Sequence, residues 1–477
     1  MKRCKIFTWV PIAAFCLAFA YQPVCVRAEG SARTDSVQEE QGRKSSASDR
    51  ILEGVRIGNI QVGGLTKEEA EKAVSDFITE LEAQTMVLQI TDIVGNAERE
   101  VRLSDFGITW RNPEILDEAL MLARRGNIIR RYKAAKDVEN GGTAYLLKLK
   151  ADRNTVSEAL RRGLSELEIP MSNAGLSLPD GGDGFVISEG QAGRSILYEE
   201  TAAALVDFLE NEWLYEDGLV FQVMTECVPV EFGSDICRLV GRNAMASFST
   251  DYGFSTTERG LNIANAASKI NGTVVYPGKE FSTLKTIAPF TGENGYYEAG
   301  SYFHGKLTDS FGGGVCQVSS ALYNAVLLGE LEVTKRSNHG LTVDYVQLSA
   351  DAAIAESSGM DFCFKNNTDA PILIRAYVAD KVLTVELYGH DTRPQGRTIG
   401  YVHEITEEYE PGEDIFEDDP ELLEGTTEVK QKAHKGYKVI LYKNVYVNGA
   451  LTEHIKVNES EYKASPRYIA VGTAKEK

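Results

Sequence analysis

What this chain has little of narrows its function before any motif is found. Its 477 residues include six histidines, scattered and never paired at i, i+4, so the helical metal-hydrolase pattern is missing. Positive charge is short: 50 Lys and Arg stand against 70 Asp and Glu, a net charge of −20, and the basic residues form no single stripe. Nucleic acid and anionic lipid headgroups are therefore poor partners. Beyond residue 30 no run approaches roughly eighteen consecutive apolar residues, which allows at most one membrane contact. Cysteine is sparse as well. Of seven, Cys4, Cys16 and Cys25 lie in the N-terminal segment, and neither Cys16 nor Cys25 follows the pattern of a lipidation site. Cys227, Cys237, Cys316 and Cys363 remain. Cys227 and Cys237 are close enough to form a short-loop disulfide in an oxidising compartment, or to stay two structural thiols.

What is present begins with an export signal. Lys2, Arg3 and Lys5 make a positive start, Ile6 to Ala20 is an almost uncharged apolar run, and Val26-Arg27-Ala28 suits cleavage before Glu29. The uncharged stretch extends to Val26, so residues 1–28 read either as a cleaved signal peptide or as a retained membrane anchor. Either way the rest of the chain is exported. Residues 29–50 are polar, rich in Ser, Glu, Gln and Arg, and read as a flexible tether. The length that follows is enough for roughly three domains.

Alternation over Val55 to Val62, then Gly63-Gly64, predicts a strand and a turn. Thr66 with Glu69 forms a capping box ahead of a helix carrying Ala70, Ala73, Val74, Phe77, Ile78 and Leu81 on one face. Further helices are predicted around Pro113 to Arg125, after Asn154, and across Leu197, Ala204, Leu205, Phe208 and Leu209, with a strand at Phe185 to Ser188. Two small α+β units follow, at 51–140 and 141–230. From Ala244 to Arg393 the chain becomes glycine-rich loops between short strands, with one clear helix after Cys316. Residues 400–474 read as a flat all-β module, with Asn448-Gly449 as a hairpin turn between Tyr437–Val447 and Ala450–Val457. The acidic run Glu404 to Glu424 holds eleven carboxylates and no Lys or Arg, which reads as a solvated, self-repelling face rather than a cation site. The fold class is thus α+β and multi-domain.

The most specific segment is Phe311-Gly312-Gly313-Gly314-Val315-Cys316-Gln317-Val318-Ser319-Ser320-Ala321-Leu322-Tyr323-Asn324. Three glycines run into a helix whose buried face is Val318, Leu322, Ala325 and Val326. This places Cys316 in the first turn, where unsatisfied N–H groups and the positive helix end favour a thiolate. The same N–H groups, with those of Gly313 and Gly314, can stabilise an oxyanion. His339, in the turn-like Arg336-Ser337-Asn338-His339-Gly340, is the candidate base, with Asp344 or Asp351 to orient it. His304 is the other histidine of this region. Gln317, Ser319 and Tyr323 on the helix, and Tyr302 nearby, are candidate substrate contacts. Tyr296, Tyr297, Tyr302 and Phe303 form an aromatic group that either packs a core or lines a glycopeptide groove. Ser282-Thr283-Leu284-Lys285 matches the S-x-x-K of penicillin-binding enzymes, but no partner motif follows and the match is chance.

The glycine–cysteine–helix segment resembles the signature of the VanW family. So do Ala267 to Gly272, Pro277-Gly278-Lys279-Glu280-Phe281-Ser282, Glu293-Asn294-Gly295-Tyr296 and Asp361 to Thr368. The likeness spans 245–395. The preceding segments resemble the peptidoglycan-binding domains that often precede VanW domains, and 400–474 resembles the five-glycine extracellular domain, a type associated with contact to cell walls and amino sugars. The family is named from vancomycin-resistance clusters, and some of its members are understood to be L,D-transpeptidases. The resemblance implies Cys316 as nucleophile, His339 as its histidine, peptidoglycan stem peptides and glycan as partners, no cofactor, and a place in the cell wall or on the outer face of the cytoplasmic membrane. Where relatives usually have Gly-Arg-Asp-Ala-Thr, this chain has Ser349-Ala350-Asp351-Ala352-Ala353, keeping the aspartate, and Gly340 stands in place of a usual serine. The alternative is a non-catalytic peptidoglycan-binding adaptor or surface scaffold, linked to glycopeptide-antibiotic response.

Overall fold

The computed structural model describes residues 49–179, 184–303 and 306–474. The expected export segment at 1–28, nearly all of the expected tether at 29–50, and His304 lie outside the described residues. No helix among the described residues is long and apolar enough to cross a membrane. The chain divides into two compact units, Met1–Val74 with Pro113–Leu146, and Ser75–Asn112 with Leu147–Lys477.

In the first unit the strand Val55–Ile57 pairs antiparallel with Ile60–Gln61 and parallel with Thr143–Tyr145. The capping box expected at Thr66 is formed: Glu69 N–H reaches Thr66 Oγ1 at 3.2 Å, and Thr66 N–H reaches Glu69 Oε2 at 2.9 Å. Helix Ile115–Met121 is shorter than the pattern suggested. Helix Ile128–Gly141, capped by Asn127, was not expected at all. Its exposed apolar residues Ile128, Ile129 and Tyr132 hide the helical period that buried stripes normally reveal.

The second unit begins with strand Thr85–Asp92, which lies between antiparallel Gly95–Arg102 and parallel Leu219–Gln222. Arg194, only 4 % exposed, clamps Asp92 with Nε–Oδ2 at 2.7 Å and Nη2–Oδ1 at 3.0 Å. That bidentate contact, more than any other cause, holds the Asp92 carboxyl down at about 2. The expected helices appear as Arg153–Leu164, capped by Asp152, and Tyr198–Asp207.

The middle of this unit is an antiparallel sheet in the order Ala246–Asp251, Val382–Tyr388, Ile372–Ala379, Val274–Val275. Helices Thr257–Ile270 and Val315–Leu328 contribute to one apolar core with it, including Ile263, Ile270, Val318, Leu322, Ile374 and Val385. Helix Val315–Leu328 is buried nearly all round rather than along one stripe, with twelve of its residues inaccessible. Truncating such a residue, for instance Leu322→Ala, costs about 2–5 kcal/mol. A smaller sheet sets Cys363–Lys365 between Glu280–Ser282 and Glu332–Lys335.

The C-terminal residues are all strand. Arg397–Tyr409, Gly436–Val447 and Ala450–Tyr462 form one antiparallel sheet, and Ile415–Leu423, Tyr468–Ala474 and Thr427–Gln431 form another. Asn448 and Gly449, at φ +53° and +85°, make the expected hairpin turn. The acidic run is strand as well. Its repulsion is relieved by lysines across the sheet, Lys435 reaching Glu408 and Glu410 at 2.6 and 2.8 Å. The α+β, multi-domain reading with an all-β end matches this architecture.

Candidate active site

The hairpin Glu298–Phe303 and Lys306–Phe311 delivers the chain to the glycine run. A Cβ on Gly313 would sit 2.3 Å from the Ala299 carbonyl oxygen, and Gly314 has φ +108° with Arg259 Cγ 2.9 Å from where its Cβ would be. Neither position tolerates a side chain without moving the backbone. This tight turn ends at Gly314, and Cys316 occupies the first turn of helix Val315–Leu328. The residue is half-buried, and its sulfur lies 3.4 Å from the Ile354 carbonyl.

His339 comes from the segment after strand Glu332–Lys335. Its backbone N–H and its Nδ1 both meet Asp351 Oδ2 at 2.6 Å. Nδ1 therefore carries the proton donated to the carboxylate, and Nε2 is the ring nitrogen left for the Cys316 sulfur, whose charge the imidazole favours. Tyr345 Oη lies 3.5 Å from the same Nε2. Asp351 is fully buried, and its other oxygen accepts from Arg336 Nη2 at 3.0 Å and Tyr462 Oη at 2.5 Å. Of the two aspartates considered as orienters, Asp351 meets the imidazole. Asp344 is exposed and lines a separate cavity of about 550 Å³ with Tyr345, Tyr401 and His403.

The electrostatics follow from this geometry. Burial pushes the Cys316 thiol up, but the His339 imidazole, with help from Arg259, outweighs burial and holds it below the ordinary thiol value. Burial likewise disfavours imidazolium, yet Asp351 and the sulfur together raise His339 to about 10. Burial would raise the Asp351 carboxyl; His339, Arg336 and Tyr462 bring it below the usual range. The imidazole favours the thiolate and the carboxylate favours the imidazolium, an arrangement suited to nucleophilic acyl transfer.

The other residues singled out from sequence are placed as follows. Gly313 N–H donates to the Ser310 carbonyl at 3.3 Å, and Val315 N–H to Gly312 at 3.1 Å. The Gly314 and Cys316 N–H groups lie at the same helix start. Gln317 is buried, and its amide is engaged by Thr250, the Asp251 carbonyl and Arg259. Ser319 is buried, with Oγ 2.5 Å from the Ala352 carbonyl. Tyr323 is buried, its ring edge-on to Phe362 and its hydroxyl accepting from Asn458. Tyr302 lies in the hairpin, its backbone opposite Leu307. Ser282 caps the short helix Thr283–Ile287 and donates to Asp361 at 2.5 Å. Cys227 and Cys237 are free thiols. Among the described residues no group of three or more His, Cys, Asp or Glu gathers in a way that holds a metal.

Sequence reasoning missed three contributors. Arg336 stood in a segment read only as a turn, three residues before His339. Arg259 follows the Thr256 helix cap, and its Nη2 reaches Gln317 at 2.9 Å. Tyr462 lies 111 residues beyond the aspartate it binds. Only the Arg336–His339 proximity left a signal in the sequence.

Comparison with known proteins gives matches for three domains. Residues 258–388 match the family model described as VanW like protein. The centre of this chain is a VanW-like domain. Residues 100–212 match the model described as "Putative peptidoglycan binding domain", and 402–474 match the G5 domain, in the order read from the sequence. The uncharacterized protein YoaR of Bacillus subtilis (strain 168) is 34 % identical over 158 residues, covering 33 % of this chain and 52 % of YoaR. The vancomycin B-type resistance protein VanW of Enterococcus faecalis (strain ATCC 700802 / V583) is 29 % identical over 162 residues, covering 31 % of this chain and 58 % of that protein. The chain thus spans little more than half the length of these curated relatives. A solved IgA1 protease G5 domain is similar at 28 % identity over 16 % of this chain and 93 % of its own, with a TM-score of 0.12. The three domain matches support a cell-wall-associated protein.

Proposed function

We propose that this is an exported protein of the cell wall or the outer face of the cytoplasmic membrane that binds peptidoglycan and cross-links its stem peptides by L,D-transpeptidation. Cys316 is the nucleophile, His339 the acid–base group and Asp351 its orienter. The observation that carries the reading is the His339 imidazole bonded to the buried Asp351 carboxylate and acting on the thiol of half-buried Cys316.

In the first step the Cys316 thiolate attacks the carbonyl preceding the terminal D-alanine of a donor stem. A C–S bond forms, the peptide C–N bond breaks, and His339 gives its Nε2 proton to the departing amine. In the second step an acceptor-stem amine attacks the thioester. His339 takes the proton lost by that amine, the C–S bond breaks, and the sulfur leaves as thiolate. The Gly314 and Cys316 N–H groups at the positive helix end receive the oxyanion of both tetrahedral intermediates. This chemistry calls for no cofactor, because His339 supplies and takes every proton that moves. The upstream units and the C-terminal β domain hold the chain against glycan and stems.

The test is cross-linking of purified stem peptides followed by mass spectrometry, comparing the parent with Cys316→Ser. Loss of product by at least about 10³-fold is expected, since an alcohol in this place lacks the thiolate's charge. Equal product from both proteins would refute the enzyme. Retention of wall binding with no cross-linking by either protein would support the adaptor reading, which the buried, fully engaged Gln317, Ser319 and Tyr323 favour.

A further inference from the structure

The last strand of the C-terminal sheet, Ala450–Tyr462, turns three alternate polar residues inward. Side chains two apart on a strand share a face, so Asn458, Ser460 and Tyr462 all reach the loop that supports the candidate site. Asn458 Nδ2 donates to Tyr323 Oη and, at 3.3 Å, to the Ser349 carbonyl. Ser460 Oγ accepts from Arg336 Nη1 at 2.7 Å. Tyr462 Oη accepts from Ser349 N–H at 2.6 Å and donates to Asp351 Oδ1 at 2.5 Å. Ser460 and Tyr462 are 2 % and 1 % exposed.

A contact that only docked one domain on another would be satisfied by apolar residues, because buried polar groups cost free energy unless each finds a partner. Here all three residues are polar, and their bonds end on Asp351, Arg336, Tyr323 or Ser349, which is two residues from Asp351. The same sheet also places Leu441 in the apolar core of the central domain. We propose that the C-terminal β domain is a working part of the candidate catalytic centre, with Tyr462 as the positioning residue that fixes the Asp351 carboxylate and, through it, the His339 ring. This rests on the acyl-transfer reading and adds to it: the domain matched as G5 does more than bind the wall, and transpeptidation requires it in place.

Asp351 is faced by His339 and Arg336 from its own domain and by Tyr462 from the C-terminal sheet, with Tyr323 of the central helix nearby. Cys316 is faced by His339, Arg259 and Tyr345. Replacing Tyr462 by Phe removes one donor from Asp351 and keeps the ring. The carboxylate can then shift off the imidazole, and the imidazolium stabilises the thiolate less.

The experiment uses the full chain and measures the rate of Cys316 alkylation by iodoacetamide across pH, site by site, by mass spectrometry. The parent, Tyr462→Phe and Val439→Ala are compared. Val439 is a fully buried residue of the same sheet, so its truncation weakens the domain without touching Asp351. In Tyr462→Phe the midpoint is expected to move up by about one pH unit, roughly a tenfold loss of thiolate at neutral pH. Val439→Ala is expected to melt earlier and keep the parent profile. If Tyr462→Phe superimposes on the parent, or both variants move alike, the positioning role is overturned. If the parent Cys316 itself titrates like a free thiol, the acyl-transfer reading falls, and this one with it.

Discussion

Cys316 and Cys363 belong to the same domain and differ in the charge beside them. Cys316, at a helix start, meets His339, which holds its thiol below the ordinary value against the effect of burial. Cys363, on the strand Cys363–Lys365, is buried with Sγ 3.2 Å from Asp361 Oδ2, and burial together with that carboxylate pushes it up to about 12. Burial acts in the same direction on both thiols; the neighbouring side chain reverses the outcome for one. Reactivity here is a property of the partner more than of the cysteine or of the helix terminus alone.

The comparison breaks most sharply if the partner is removed. In His339→Gln, neutral-pH alkylation of Cys316 should fall by about 100-fold, because the thiol returns toward or above its ordinary value. Cys363 should be untouched. Unchanged labelling of Cys316 would mean that the helix start alone sustains the thiolate.

A pH series sharpens the same contrast. Cys316 is expected to label below the ordinary thiol value, losing reactivity only as pH falls through its lowered one, while native Cys363 stays unreactive until pH nears about 12. The sign for His339 is the opposite. Its folded value is raised from 6.5 to about 10, so its contribution to stability is complete below about 6.5 and is lost as pH rises through about 10. Thermal unfolding at pH 7 and pH 10 checks this, and a midpoint that does not fall at the higher pH contradicts it.

The smallest effect is expected at Ser349, which holds φ +68°, a conformation that favours the glycine usual in VanW relatives at this position. Its hydroxyl is bonded to Asn458 at 2.5 Å and Ser460 at 2.7 Å. Ser349→Gly relieves about 1 kcal/mol of backbone strain and loses bonds worth about 1 kcal/mol each. A net change within about 1 kcal/mol in urea unfolding is predicted, with the alkylation profile of Cys316 preserved. A loss of several kcal/mol would mean that these two bonds hold the domains together.

Much of the architecture was legible. The capping box at Thr66–Glu69, the hairpin at Asn448-Gly449 and the glycine run before helix Val315–Leu328 are all local signals, in which the backbone's needs select nearby residues. Helix Ile128–Gly141 was not legible, because its exposed apolar residues blur the period. The parallel pairing of Leu219–Gln222 with Thr85–Asp92 joins strands more than a hundred residues apart, and nothing in either strand names its partner. Within the helix after Cys316, spacing could not separate substrate-facing from tertiary contacts. Gln317, Ser319 and Tyr323 have the polar groups a ligand would want, yet in the folded chain those groups meet Arg259, Ala352 and Asn458.

By itself the sequence determined that Cys316 would open a helix behind glycines, since only glycine accepts the backbone at 313 and 314, and that the chain's end would be strands. Tertiary structure alone decided whether that sulfur would be charged. That depended on His339 turning its ring toward it, on Asp351 rather than Asp344 meeting the ring, and on a tyrosine from another domain reaching the carboxylate. Electrostatic energy depends on distances of a few ångströms between groups far apart in the chain, and those distances exist only after folding.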